Sequence, residues 1–239
     1  MGFDAVLRDL GRMRFVIETL AEAGYALDRL DDVEPVRRRY SASTLGQLLA
    51  AAPNDDRPCR VLIGRSKWGD MNIRACRPTD PEAGSVNVVS VQLWHHDRAN
   101  AVALLEASRT LLSAGLLAYS YAGTPDEVSR QRTQGTLHER LPGVFWTNVY
   151  GKRYVETIGL ERLRSIAWSS IEVSDAGVVA QLYEDPAQPP ADLHAMVDEA
   201  KSAVGREFFG ARWLGGDLAS FLEPKHAEHH QALPRLARS

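Results

Sequence analysis

Cysteine is scarce in this 239-residue chain: only Cys59 and Cys76 occur. A small secreted scaffold would carry more of them. No CxxC pair exists, which excludes zinc ribbons and thioredoxin-type chemistry. The two thiols read as neighbours in adjacent strands, with a disulfide between them as the alternative. Long hydrophobic runs are missing too. No stretch of 18 apolar residues appears, so no membrane span is expected. The opening residues mix Asp4, Arg8 and Asp9 among apolar positions and lack a signal-peptide core. The expected location is therefore the cytoplasm. Charge of one sign is also lacking: 28 Lys and Arg face 31 Asp and Glu, a net charge of −3. A protein that grips nucleic acid is usually basic, so no nucleic-acid partner is expected.

The short chemical fingerprints are equally absent. There is no GxxxxGK followed by Ser or Thr and no GxGxxG, which argues against a nucleotide cradle. There is no GxSxG nucleophile elbow, and Ser169 and Ser170 have no basic or acidic neighbour in sequence that would activate them. HExxH and HxxEH do not occur. The seven histidines are His95, His96, His138, His194, His226, His229 and His230. His226 and His230 would share one face of a helix at a spacing that suits a metal, but Pro224 and Pro234 bracket them. His95-His96-Asp97 sits at a strand-to-helix junction, where polar residues also serve as caps. Neither group amounts to a catalytic constellation. No metal, no cofactor and no enzymatic activity are expected.

What remains is a soluble-type composition, with 44 % hydrophobic and 25 % charged residues. A chain this long buries about 70 % of the surface exposed on unfolding, so it needs no staple. Phe3, Val6, Leu7, Leu10, Met13, Ile17 and Leu20 recur at helical spacing and predict a helix over 3–23, closed by Gly24. A second short helix carries Leu45, Leu48 and Leu49. Over 59–94 the period changes to two, as in Met71, Ile73 and Ala75, which predicts an antiparallel meander. A helix follows over 97–114, then a strand over 116–121, then a Thr124-Pro125-Asp126-Glu127 capping box. Residues 144–150 read as a strand, 154–163 as a helix around Gly159, 171–183 as a hairpin turning at Gly177, and 191–204 as a helix. Irregular interleaving of helices and strands predicts an α+β fold, a mostly antiparallel sheet packed against several helices. No clean linker divides the chain. One domain over 1–222 is expected, followed by a flexible, polar, His-containing tail over 223–239.

Charge patterning singles out residues 28–39. Asp28, Asp31, Asp32 and Glu34 precede Pro35, and Arg37-Arg38-Arg39 follow it. The plain account is a solvated connector whose opposite charges pair. The five tryptophans, Trp68, Trp94, Trp146, Trp168 and Trp213, read as packing anchors, with a ligand platform as the alternative.

One segment is denser in structural punctuation than the rest, Leu141 to Leu163. It consists of an aromatic strand, a turn permitted by glycine, and a short helix whose Tyr154 and Ile158 pack back. It resembles the pattern L-P-G-x-Y-W-x-N-Y-F-G-x-x-Y-V-E-x-I-G-x-E-x-L of immunity proteins of polymorphic and type VI secreted toxins, in particular the immunity protein 52 family. The matching positions are Pro142, Gly143, Trp146, Asn148, Gly151, Tyr154, Val155, Glu156, Gly159, Glu161 and Leu163. The hairpin ending at Glu184-Asp185-Pro186 is also similar to that family, so the resemblance covers about 45 residues. Lys152-Arg153 departs from it, with two cations in place of small residues or proline. The resemblance implies a stoichiometric inhibitor that binds a cognate toxin and occludes it, a role in bacterial competition. It implies structural roles for Trp146, Asn148, Gly151, Tyr154, Glu156 and Gly159. If the toxin is a nuclease with a basic active site, Asp31, Asp32, Glu34, Asp55 and Asp56 become possible contacts, because complementary charge speeds association. A metal-assisted hydrolase and a non-catalytic adaptor or small-ligand binder are the competing readings.

Overall fold

The structure is a computed structural model that describes residues 1–3, 7, 9–50, 59–76, 87–93, 98–131 and 141–209. It is an α+β protein, with helices and antiparallel strands interleaved irregularly. Its contacts gather into two compact units, one built on Met1–Ser120 and one on Tyr121–Arg235. The division falls inside the strand Leu117–Ala122, which is why no linker composition marks it. The His-containing tail over 223–239 lies outside the described residues.

The first unit contains β1 (Gly2–Phe3), α1 (Leu10–Leu20), β2 (Arg29–Asp31), α2 (Ala42–Ala50), β3 (Cys59–Arg65), β4 (Gly69–Cys76), β5 (Asn87–Leu93), α3 (Arg98–Ser113) and β6 (Leu117–Ala122). The strand order is β2-β3-β4-β5-β1-β6. The expected meander is present, each neighbour antiparallel to the last. Period-two patterning produces it: Leu62, Met71, Ile73, Ala75 and Val89 are buried, while Val61, Asn72, Arg74 and Ser90 are exposed. The register sets Cys59 directly opposite Cys76, on neighbouring strands.

The first helix is shorter than its periodicity suggests. Asp9 caps it, accepting the Arg12 backbone N–H at 2.8 Å. Gly2–Phe3 instead forms a strand between β5 and β6. Apolar spacing cannot report that a distant strand offers the backbone better hydrogen-bond partners. Met13, Val16, Ile17 and Leu20 are buried, and a wide turn over Ala21–Tyr25 ends the helix at Gly24, where φ is +93°.

The second unit contains α4 (Pro125–Arg130), β7 (Thr147–Gly151), α5 (Lys152–Ile158), α6 (Leu160–Arg164), β8 (Ser170–Ser174), β9 (Gly177–Gln181), α7 (Leu193–Val204) and a 3-10 turn over Arg206–Phe208. Strand β9 lies between β7 and β8, antiparallel to both. The capping box forms as expected. Thr124 Oγ1 accepts the Glu127 N–H at 3.2 Å, and Glu127 Oε2 accepts the Thr124 N–H at 2.8 Å. The helix expected over 154–163 is broken in two by Gly159, which adopts φ +97°.

Gly177 faces a harder constraint. It pairs with Gly151 across β7 and β9, its φ is +151°, and a Cβ there would stand 2.1 Å from the Tyr150 carbonyl oxygen. Gly159 has open space around an added Cβ and only the dihedral to lose. Left-handed backbone costs an ordinary residue about 1–3 kcal/mol. Gly159→Ala is therefore expected to destabilise by about 1 kcal/mol, and Gly177→Ala by more, about 3 kcal/mol, since a backbone clash adds to the dihedral cost. Denaturant titration of the two variants ranks them, and equal midpoints would show that the hairpin end opens freely.

Candidate functional site

The segment from Leu141 to Leu163 is built around two buried amide side chains and several buried aromatic rings. Gln131, near the end of α4, clamps the chain where it enters the segment. Its Nε2 donates to the Val144 carbonyl at 2.5 Å, and its Oε1 accepts the Val144 N–H at 3.1 Å. Asn148 closes a local loop: Oδ1 accepts the Phe145 N–H at 3.1 Å, and Nδ2 donates to the Phe145 carbonyl at 2.7 Å. Both amides thus satisfy backbone groups that a strand ladder does not reach, as buried main chain requires. Gly143 is needed because a Cβ would meet Gln131 Oε1 at 2.6 Å. The Phe145 ring stacks on Tyr121 with centroids 4.2 Å apart.

Trp146, Asn148, Gly151 and Tyr154 are all buried, Trp146 at 1 % exposure. Gly151 opens α5 and Gly159 ends it. Glu156 differs from these, lying exposed on α5. Four of the six motif residues are therefore interior, and their side chains are unavailable as contact anchors. The Trp146 ring lacks a hydrogen-bond partner for its N–H among the described residues. Trp146→Ala is expected to cost about 3–5 kcal/mol, a large-to-small core change. Trp146→Phe keeps a six-membered ring but loses the five-membered one with its N–H, leaving a smaller cavity, so it should cost less than Trp146→Ala. Urea melts of both variants test the assignment, and a Trp146→Ala protein with parental stability would refute it.

The charged segment over 28–40 is where a surface site takes shape. After β2 the chain turns through 32–37, with a cis Glu34–Pro35 bond, and returns alongside β2. The Leu30 N–H donates to the Arg38 carbonyl at 3.0 Å and the Tyr40 N–H to the Asp28 carbonyl at 2.9 Å. Asp31 organises the turn. The residue is 4 % exposed, and its carboxylate accepts the backbone N–H groups of Asp32, Arg37 and Arg38 at 3.1, 3.2 and 3.4 Å. Arg38 Nε adds an ion pair at 3.4 Å. Glu34 accepts from Arg65 Nη2 through both oxygens, at 3.1 and 3.2 Å, and from the Val36 N–H at 3.3 Å. Asp70 pairs with the same arginine, 3.5 Å from its Nε. Exposed pairs such as Arg65–Glu34 contribute at most about 1 kcal/mol, so their effect is placement more than stability.

The acids expected to face a partner are thus largely turned to their own loop. Asp31 and Glu34 are engaged in it, Asp32 is half-buried, and Asp55 and Asp56 lie outside the described residues. The arginines separate differently. Arg38 and Arg65 have carboxylates, but Arg29, Arg37 and Arg39 are exposed with no ion-pair partner among the described residues. These three line a half-open cavity of about 520 Å³ together with Leu27, Asp28 and Tyr40. The sequence displayed the charge run but not its division into engaged and free members.

Of the histidines, His194 is described, exposed on α7. His95, His96, His138, His226, His229 and His230 lie outside the described residues, as do Trp94 and Trp213. Among the described residues no three His, Cys, Asp or Glu side chains gather closely enough to hold a metal ion. No described helix is long and apolar enough to cross a membrane. Comparisons with protein-family models, with curated proteins and with solved structures find no match.

The Asp31 arrangement has a pH consequence. Burial opposes its charge, but the backbone donors and Arg38 outweigh burial and hold its pKa below the ordinary carboxylate value. A depressed carboxylate stabilises the fold above its unfolded pKa, and that contribution is lost as pH falls through the folded pKa. Asp31→Asn should therefore be less stable than the parent at neutral pH, with the gap closing below about pH 4. Denaturant melts across pH 3–7 check this; a gap that stays constant would remove Asp31 as the ionised organiser.

Proposed function

We propose that this protein is an immunity protein that binds a cognate secreted bacterial toxin stoichiometrically and neutralises it by occlusion. The observation that carries this reading is the Leu141–Leu163 segment, whose sequence resembles the immunity protein 52 family. The interior positions of Trp146, Asn148, Gly151 and Tyr154 support the structural roles that the resemblance implies for them. Contact with a partner then falls to exposed residues. For a basic nuclease, exposed acids of the second unit are the suitable ones. Glu156 and Asp175 are exposed and have no ion-pair partner among the described residues. Exposed Val173, on the edge strand β8 two residues before Asp175, adds an apolar element near that acid.

Occlusion must be tight and must not turn over. A nanomolar dissociation constant corresponds to about −12 kcal/mol, and such interfaces rest on a few buried anchors within a polar rim. The test is co-expression with the product of the adjacent gene, followed by titration calorimetry. Protection is expected to titrate at one immunity molecule per toxin, and Glu156→Lys with Asp175→Lys should slow association about tenfold. Protection at sub-stoichiometric ratios would indicate catalysis on the toxin or its product. A neighbour that is neither toxic nor bound would end the immunity reading.

A further inference from the structure

The geometry points to a phosphate-binding site in the cavity between β2 and the returning 37–40 segment, held by Arg29, Arg37 and Arg39. This site is independent of the toxin-binding surface proposed above. Arg29 and Arg39 are Cα partners across a β-bridge, and Arg29 is also the register partner of Arg65. Three arginines thus stand in one cross-strand row, with Arg37 two residues from Arg39 on the same extended stretch. Like charges directly opposite on paired strands destabilise the pairing. Among the described residues that repulsion is relieved at one end of the row only. Arg65 is neutralised by Glu34 and Asp70, and Arg38, pointing to the other side of the strand, by Asp31.

Glu34 and Asp31 belong to the same loop and could have served Arg37 or Arg39. Instead they bind backbone N–H groups and the arginines outside the cavity. The guanidiniums left over are the three that line the cavity, against a single carboxylate, Asp28. The lining therefore carries a surplus of two positive charges. A phosphate group carries about −1.5 to −2 at neutral pH, which matches that surplus, whereas one carboxylate leaves half of it unmet. Guanidiniums offer paired N–H donors that fit phosphate oxygens two at a time. Tyr40 and Leu27 complete the wall. The volume of about 520 Å³ lies within the range of small-molecule sites, roughly 300–1,000 Å³. The open side admits a phosphate whose remainder projects outward, whether a free metabolite or a phosphorylated chain.

Isothermal titration of the full chain with pyrophosphate, inorganic phosphate and citrate, at low and moderate salt, tests the site. Pyrophosphate is expected to bind at least tenfold more tightly than citrate and to weaken as salt rises. The double variant Arg37→Ala/Arg39→Ala should lose at least tenfold in affinity, while Arg74→Gln, an exposed arginine of β4, should lose nothing. Thermal melting of the same variants separates the site from a folding defect. Removing Arg39 from opposite Arg29 relieves repulsion, so the double variant without ligand should melt no lower than the parent, and pyrophosphate should raise only the parent's midpoint. Binding of AMP alongside pyrophosphate assigns the site to free phosphate compounds; binding of a phosphoserine peptide in preference to both assigns it to a phosphorylated chain. Absence of pyrophosphate binding, equal affinity for citrate, or unchanged affinity in the double variant would overturn the proposal.

Discussion

Backbone groups in an irregular segment need hydrogen-bond partners once they are buried, and much of this structure follows from how that need is met. Strand ladders and helices satisfy their own amides. The segments between them do not, and in both units a polar side chain takes over. Asp31 accepts three backbone N–H groups in the first unit, and Ser66 accepts two more, from Trp68 and Gly69, in the tight turn between β3 and β4. Gln131 and Asn148 do the same for Val144 and Phe145 in the second. Each of these side chains is buried, so each would be costly to desolvate without its partners.

That use of polar residues decides what is left for the surface. A carboxylate occupied by its own loop cannot also meet a partner. In the 28–40 segment Asp31 and Glu34 are consumed in this way, and the exposed remainder is basic on balance, three arginines against Asp28, although the whole chain is slightly acidic. Net charge therefore says little about the character of a local face. In the motif segment the aromatic residues are consumed by packing, with Trp146, Tyr150 and Tyr154 all interior. The phenol of Tyr150 is held well above its ordinary pKa by burial, as expected of a ring placed for packing. Residues that draw the eye in sequence are, in both places, the ones that build the scaffold.

The two proposed binding roles consequently fall on residues that the scaffold leaves exposed. Glu156 and Asp175 belong to the second unit, and Arg29, Arg37 and Arg39 to the first. A protein that neutralises a partner by occlusion needs a rigid scaffold and an accessible, charged rim, and each unit supplies both locally. Rigidity in the second unit comes from close backbone approach at Gly151 and Gly177 and from the amide latches. In the first it comes from the antiparallel meander and the Asp31 turn.

The sequence by itself determined the fold class, the meander over 59–94, the capping box at Thr124 and the turns at Gly24 and Gly177. These depend on local periodicity, on a reciprocal cap and on a left-handed dihedral, all properties of a few adjacent residues. Tertiary structure alone decided the rest. Gly2–Phe3 became a strand because β5 and β6 offer it partners far along the chain. The break at Gly159 made two helices of one, since its dihedral outweighs the apolar spacing around it. The division of the 28–39 charges was invisible in sequence because Asp31 and Arg38 are joined by a turn, Glu34 and Arg65 by a strand register, and Arg29 and Arg39 by a bridge. Which charges are spent and which are free is set by distances across the fold, and linear order does not encode those distances.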